Sequence, residues 1–185
     1  MTNIILVHGT YSSPTGNWLP WLKTELEKIN CQVFVPNFPT PKNQSLENWL
    51  KVFDDYKQYL NQDTIVIGHS LGAAFLLSVL ETINHPIKQA YFVSSFIGFI
   101  GNSEYDILNK TFTIKNFDWP KIKQNCKNFC LISSDNDPYV DLSYGQEVAK
   151  NLNSELIVLP NAGHINAESG YTHFEFLLEK IKEIL

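Results

Sequence analysis

Short apolar runs alternate with longer amphipathic segments along all 185 residues of the chain. The short runs are rich in β-branched and aromatic side chains, which is typical of strands. Strands that are separated by helix-length segments pair in parallel, so the pattern predicts an α/β fold with a mostly parallel six-stranded sheet and helices on both faces. The predicted strands are 3–7, 32–35, 64–67, 90–94, 129–133 and 156–159.

Most of the segments between these strands carry apolar side chains at helical spacing. Ser45 is a residue type that commonly caps the start of a helix. The predicted helices are 17–30, 45–61, 71–83, 142–152 and 171–185. Residues 96–125 are aromatic but show no sustained period, so no element is predicted there. Because there is no repeat and no linker, we expect one domain over residues 1–185.

Charge and composition exclude several classes of function. The formal net charge is −5 and no basic patch is visible, so we expect neither nucleic acid nor a membrane as a partner. The first residues lack the features of a signal peptide, and the three cysteines are an odd number, which argues against a disulfide framework and favours the cytoplasm. We expect a monomer or a small homo-oligomer.

No motif for a cofactor or a metal is present. The loop after the first predicted strand, residues 8–13, does not carry the glycine pattern of a dinucleotide-binding loop. Cys126 and Cys130 are four residues apart, but no second pair of ligands lies near them in the sequence, so we interpret them as buried or incidental thiols. The sequence therefore predicts a protein that works without a cofactor or a metal ion.

Residues 68–72, Gly-His-Ser-Leu-Gly, match the G-x-S-x-G pattern of a nucleophile elbow. They follow the apolar strand 64–67 and precede an apolar helix, and this is the context in which the pattern raises a serine above the end of a sheet. The turn is so tight that the flanking positions must be nearly free of side chain, which explains the two glycines. Ser70 is therefore the predicted nucleophile, and a purely structural turn is the alternative.

A serine hydroxyl needs a neighbouring base to become a strong nucleophile. His164 lies in a glycine-containing loop directly after the sixth predicted strand, at the edge of the sheet where Ser70 is also expected. Asp135 and Asp137 lie in the loop after the fifth predicted strand, and either can orient the histidine and stabilise its charged form. Spacing alone does not choose between them, and turn capping is the alternative role for both.

Acyl transfer also needs N–H donors for the charge that develops on the carbonyl oxygen. The backbone N–H of Leu71, at the start of the helix after the elbow, is the first predicted donor. The second is expected in the loop after the first strand, where Gly9 lets the backbone come close. The Thr10 N–H is the candidate there, and the Tyr11 N–H is the alternative. We interpret His8 as a residue that braces this loop by hydrogen bonds.

With these residues in place, the chain resembles the small bacterial and animal serine hydrolases related to retinoblastoma-binding protein nine, over essentially its whole length. The resemblance implies Ser70, Asp137 and His164 as the catalytic serine, aspartate and histidine, and so favours Asp137 over Asp135. It also implies a compact α/β-hydrolase fold with strand order 2-1-3-4-5-6 and no large cap domain. It rests on segments 7–9, 17–22, 37–41, 49–50, 68–72, 135–138 and 163–164.

The acyl pocket is the part of the site that the sequence describes least. Only residues 96–118 are available to cover the site in a chain of this length. Aromatic side chains can line an apolar pocket, although packing in the core is the alternative for each of them. The candidates are Tyr11, Trp18, Phe38, Phe96 and Tyr139.

The predicted function is hydrolysis of a small-molecule ester, thioester or amide through an acyl-enzyme on Ser70. His164 is the predicted general base, and Asp137 is the acid that orients it. The alternative is a catalytically weak or inert protein of the same fold that acts as a protein-binding module. An intact set of three such residues argues against binding as the sole function, because a pure binding protein does not need them.

Overall fold

In the computed structural model, which describes residues 1–185, six strands form one sheet in the order β2-β1-β3-β4-β5-β6. Every neighbouring pair is parallel, so all six strands end at the same edge. The predicted order is confirmed, and the sheet is wholly rather than mostly parallel. The strands are β1 (Asn3–Val7), β2 (Gln32–Phe34), β3 (Ile65–His69), β4 (Ile87–Val93), β5 (Cys126–Ser134) and β6 (Glu155–Leu159).

Seven α-helices connect and flank the strands. None of them has the length and apolar character that crossing a membrane requires. Two short 3-10 turns, Asp54–Tyr59 and Ala167–Ser169, complete the regular structure. The helices are α1 (Leu19–Lys28), α2 (Leu46–Phe53), α3 (Leu71–Thr82), α4 (Ser103–Thr113), α5 (Trp119–Gln124), α6 (Leu142–Leu152) and α7 (Glu175–Lys182).

The sheet separates two apolar cores. Side chains of β1 alternate between them: Ile5 and Val7 enter the core on one face, and Ile4 and Leu6 enter the other. The first core also receives apolar side chains from α2 to α6, whereas α1 and α7 complete the second. Full burial of one large apolar side chain stabilises a fold by about 1.5–3 kcal/mol, so the two cores stabilise the sheet from both faces.

Several predicted boundaries differ from the observed ones. β4 and β5 each begin three residues earlier than predicted, because the two strands still pair between Ile87 and Cys126 and between Gln89 and Asn128. The first residues of both strands include polar side chains, so they do not belong to the apolar runs that predicted the strands. Backbone pairing does not depend on these side chains. The helix predicted over 45–61 ends at Phe53 and continues as a 3-10 turn.

Residues 96–125, which had no predicted element, form α4 and α5. Asn102 caps α4, since its side-chain oxygen accepts the N–H groups of Glu104 and Tyr105. Asp118 caps α5 in the same way. Buried Phe112 anchors α4 in the first core. Helix α4 therefore forms a short wall at the carboxyl edge of the sheet, through Tyr105 and Asn109, whereas α5 leads back to the start of β5.

Candidate active site

The turn between β3 and α3 has the geometry of a nucleophile elbow. Ser70 has φ 55° and ψ −121°, a conformation that costs a residue other than glycine of order 1–3 kcal/mol. A side chain on Gly68 would come within 2.6 Å of the Ala73 nitrogen, and one on Gly72 would collide with the carbonyl oxygen of Val7. Both glycines are thus required for the close packing of α3 against the sheet.

His164 and Asp137 are joined by a short hydrogen bond. The Nδ1 of His164 lies 2.7 Å from Oδ2 of Asp137, whose side chain is only 2% exposed. The other carboxylate oxygen, Oδ1, accepts the backbone N–H groups of Tyr139 at 2.9 Å and Val140 at 3.0 Å. These contacts hold the carboxylate in place, and they put the neutral histidine's proton on Nδ1 and leave Nε2 free to accept another.

Asp135 has a different position from Asp137. The side chains of residues 134, 135 and 136 accept backbone N–H groups of residues 162, 161 and 163, at 2.7–2.9 Å. They therefore hold the loop that leads into His164 rather than its ring. The sequence analysis did not assign this role to residues 134 and 136, although three consecutive side chains with acceptor oxygens at the end of a strand are typical of such loop contacts.

Ser70 and His164 border the same cavity at the carboxyl edge of the sheet. Its volume is about 390 Å³. No hydrogen bond joins the two side chains in this structure, and such bonds are often long before substrate binds. No group of three or more His, Cys, Asp or Glu side chains is arranged to hold a metal ion. The groups that border the cavity include the serine hydroxyl, the imidazole and backbone amides.

Two free backbone N–H groups lie beside Ser70. A side chain on Gly9 would come within 3.0 Å of Ser70 Cβ and 3.4 Å of its Oγ, so the loop after β1 passes directly next to the serine. The N–H groups of Thr10 and Leu71 donate to no group of the protein. The Tyr11 N–H, in contrast, donates to Thr40 Oγ1 at 2.9 Å, which leaves Thr10 as the free donor of the pair.

His8 supports the loop after β1 through two hydrogen bonds of its ring. Its Nε2 accepts the N–H of Phe38 at 3.1 Å, so the ring proton is on Nδ1, which donates to the carbonyl oxygen of Gly9 at 2.9 Å. Burial lowers the pKa of this histidine below its usual value. His8 is therefore a neutral brace that joins the loop after β1 to the loop after β2.

His69 and Trp18 hold the backbone next to His164. The Nε2 of His69 donates to the carbonyl oxygen of His164 at 3.0 Å, and burial lowers the pKa of His69 to about 3. The indole N–H of Trp18 donates to the carbonyl oxygen of Ile165 at 2.9 Å. The two rings also pack edge to face, with centroids 5.8 Å apart. They fix the backbone of the histidine loop from inside the protein.

The structure corrects two of the five predicted pocket residues. Tyr11, Phe96 and Tyr139 border the cavity, but Trp18 and Phe38 do not. Trp18 is fully buried against the backbone of the histidine loop. Phe38 stacks on the Trp49 ring, with centroids 4.6 Å apart, in the first core. Both side chains belong to the cores, and packing in the core was the alternative interpretation of each.

Three tyrosines form one wall of the cavity. The ring of Tyr105, which the sequence analysis did not single out, lies 5.8 Å from that of Tyr11 and 6.0 Å from that of Tyr139. Tyr11 donates to Glu104, and Tyr139 donates to Glu168 at 2.9 Å. No lysine or arginine borders the cavity, whereas Glu168 does. The cavity is consequently polar and negative at its rim.

Known proteins share both the sequence and the fold. The sequence matches the serine hydrolase family over residues 4–183. The serine hydrolase RBBP9 of Rattus norvegicus is 30% identical over 172 residues, which cover 92% of this chain and 88% of that protein. YdeN of Bacillus subtilis (strain 168) is 30% identical over 169 residues, which cover 91% of this chain and 88% of that protein.

The crystal structure of the ydeN gene product from B. subtilis superposes on this chain with a TM-score of 0.93. The superposition covers 100% of this chain and 98% of the other, at 26% identity. The compact α/β-hydrolase fold and the resemblance that the motifs indicated are thus confirmed. The chain belongs to the serine hydrolase family.

Proposed function

We propose that this hydrolase cleaves carboxylic esters through an acyl-enzyme on Ser70, with His164 as general base and Asp137 as the acid that orients it. The observation that carries the proposal is the hydrogen bond of 2.7 Å between His164 and buried Asp137, at a cavity that Ser70 also borders. A buried carboxylate on Nδ1 both sets the tautomer and stabilises the imidazolium that forms when Nε2 takes a proton.

In the acylation step, Ser70 Oγ bonds to the carbonyl carbon of the ester while His164 Nε2 accepts the hydroxyl proton. The carbonyl oxygen becomes an oxyanion, which the N–H groups of Thr10 and Leu71 stabilise. The carbon–oxygen bond to the leaving group then breaks, and the imidazolium returns its proton to the departing alkoxide. Water repeats the cycle on the acyl-enzyme and releases the carboxylic acid and free Ser70.

The experiment that tests this proposal is labelling with a fluorophosphonate probe, followed by mass spectrometry of the peptide that carries Ser70. We expect labelling of native protein at Ser70, with loss of fluoride, and no labelling after heat denaturation. Ser12→Ala is the control variant and should be labelled like the wild type, because Ser12 borders the same cavity and lies outside the elbow. Folded protein that resists the probe would contradict the proposal and favour the alternative of an inert protein-binding module.

The charge of the cavity predicts a preference among esters. Glu168 borders the cavity and no cationic side chain does, so a substrate that brings a carboxylate into this small space is repelled, whichever part of the substrate carries it. We expect the 4-nitrophenyl monoester of glutaric acid to have a kcat/KM about three- to tenfold lower than its methyl-capped diester. The ratio should approach one at high salt and in Glu168→Gln. Equal rates for both esters at low salt contradict this prediction.

A further inference from the structure

A network of side chains joins the loop after β1, the proline-rich loop after β2 and helix α4. Thr40 Oγ1 accepts the N–H of Tyr11 at 2.9 Å and donates to Gln44 Oε1 at 2.6 Å. The two hydrogens of Gln44 Nε2 are shared among three acceptors: the carbonyl oxygen of Leu108 at 3.2 Å, Asn109 Oδ1 at 2.9 Å and Thr10 Oγ1 at 3.2 Å. Thr10 Oγ1 in turn donates to Asn109 Oδ1 at 2.6 Å.

Donor and acceptor chemistry fixes the direction of every bond in this network. The carbonyl oxygen of Leu108 can only accept, so the amide NH2 group of Gln44 must face it. The same NH2 group faces Asn109, so Asn109 must present its oxygen there. At the other end, Thr40 receives the Tyr11 N–H and has only its own hydrogen to give to Gln44 Oε1. The orientation of the Asn109 amide is thus set by backbone groups at both ends.

This orientation leaves the NH2 group of Asn109 without a partner. Asn109 is only 2% exposed and borders the cavity, and its Nδ2 donates to no group of the protein. Ser95 Oγ is the one fully enclosed side-chain polar atom that lacks a hydrogen bond. Asn109 Nδ2 also lacks a hydrogen bond but is not fully enclosed, so we infer that its remaining accessible surface faces the cavity that the residue borders. A donor held this way binds an acceptor without first having to be ordered.

We propose that the Asn109 NH2 group donates a hydrogen bond to an uncharged oxygen in the acyl part of the substrate. This inference rests on the proposed function and adds the substrate class to it: esters of acids that carry an ether, hydroxyl or keto oxygen close to the reacting carbonyl. Asn109 is also a specificity-determining residue on this view, because a plain alkyl chain leaves its donor unpaired.

The position of Asn109 selects the acyl side of the substrate. Its Oδ1 contacts the side chain of Thr10, whose N–H is the proposed donor to the oxyanion. The leaving group must lie towards His164, which protonates it, and the ring next to His164 is that of Tyr139, with centroids 5.1 Å apart. Asn109 is bonded to the oxyanion loop and not to the histidine loop, so we infer that it faces the acyl part rather than the leaving group. An uncharged oxygen fits better than a carboxylate, since the cavity has no cation.

The test compares two esters of equal chain length, 4-nitrophenyl methoxyacetate and 4-nitrophenyl butyrate, in which one oxygen replaces one methylene. The measured quantity is the ratio of their kcat/KM values in wild type divided by the same ratio in Asn109→Leu, so that the different intrinsic reactivity of the esters cancels. We expect this quotient to be about 3–10, the value of one neutral hydrogen bond. Ile100→Val, on the same cavity, should leave the ratio unchanged.

Gln44→Glu provides a second variant that keeps Asn109. Two acceptor oxygens at position 44 require the Asn109 NH2 group to turn towards them, so its oxygen then faces the cavity. We expect the same loss of preference for methoxyacetate as in Asn109→Leu. Equal loss of both rates with an unchanged ratio in both variants would mean that Asn109 acts only through Thr10, and would overturn the proposal.

Fluorophosphonate labelling of each variant distinguishes a failure of the proposed role of Asn109 from a failure of the proposed function. Variants that label at Ser70 but keep the wild-type ratio overturn the role of Asn109 and leave the proposed function standing. A wild-type protein that neither labels nor hydrolyses the two esters overturns both. Thermal unfolding of each variant shows whether its fold is retained, and the ratio is read only from variants that unfold cooperatively.

Discussion

Replacing Ser70 by alanine is expected to lower kcat for a chromogenic ester by roughly a millionfold, and replacing His164 by alanine to lower it by a similar factor. The two side chains act as one unit, because the hydroxyl is a weak nucleophile without a base and the base has no proton to take without the hydroxyl. Steady-state hydrolysis of 4-nitrophenyl acetate, with active-site titration of the wild type, measures both effects.

The double variant provides the sharper result. Once either member of the unit is gone, removal of the other should have almost no further effect on kcat, and the remaining rate should reflect binding and the N–H groups of Thr10 and Leu71. Far-ultraviolet circular dichroism of all variants controls for folding. Multiplicative losses in the double variant would show that Ser70 and His164 contribute independently, which the proposed mechanism does not allow.

Asp137→Asn is expected to lower kcat by about 10,000-fold while the loop keeps its structure. The N–H groups of Tyr139 and Val140 need an acceptor, so the oxygen of the new amide stays with them. Its NH2 group then faces Nδ1 of His164, which must become an acceptor. The ring proton moves to Nε2, where it blocks uptake of the Ser70 proton. The pH dependence and size of kcat measure this loss.

Asp135→Asn is the matched control for that variant. Its oxygen can still accept the N–H of Asn161, which is the contact that Asp135 makes at 2.7 Å. We therefore expect kcat within a few-fold of the wild type and a nearly unchanged thermal midpoint. If Asp135→Asn were the inactive variant and Asp137→Asn the active one, the assignment of the orienting acid would be reversed.

The architecture could be predicted from the alternation of strands and helices, because a buried parallel strand leaves a continuous apolar run that few other structures produce. Helix α4 could not. Its sequence pairs one fully buried side chain, Phe112, with polar residues that face a cavity, so no helical period of apolar residues appears. A segment that borders both a core and a polar site loses the pattern that identifies a helix.

The candidate site was predicted unevenly for a physical reason. Ser70, Asp137 and His164 each follow a strand, and parallel strands bring their ends together whatever lies between them. The choice between Asp135 and Asp137, by contrast, depends on hydrogen bonds within a loop. Spacing did not decide it, and the family resemblance favoured Asp137. Trp18 shows the same limit. An aromatic side chain can line a pocket, and only the hydrogen bond to Ile165 shows that this one supports the histidine loop instead.

Because the sheet is wholly parallel, separate loops at its carboxyl edge carry the candidate catalytic residues and part of the cavity wall. The loops after β3, β5 and β6 carry Ser70, Asp137 and His164, whereas the stretch after β4 contributes Tyr105, Asn109 and other wall residues. Substitution at Ile100 or Tyr105 can therefore change the wall of the cavity while the loops that carry Ser70, Asp137 and His164 keep their sequences. Part of the cavity wall therefore varies independently of the loops that carry Ser70, Asp137 and His164, whereas Tyr11 and Tyr139 belong to the loops after β1 and β5.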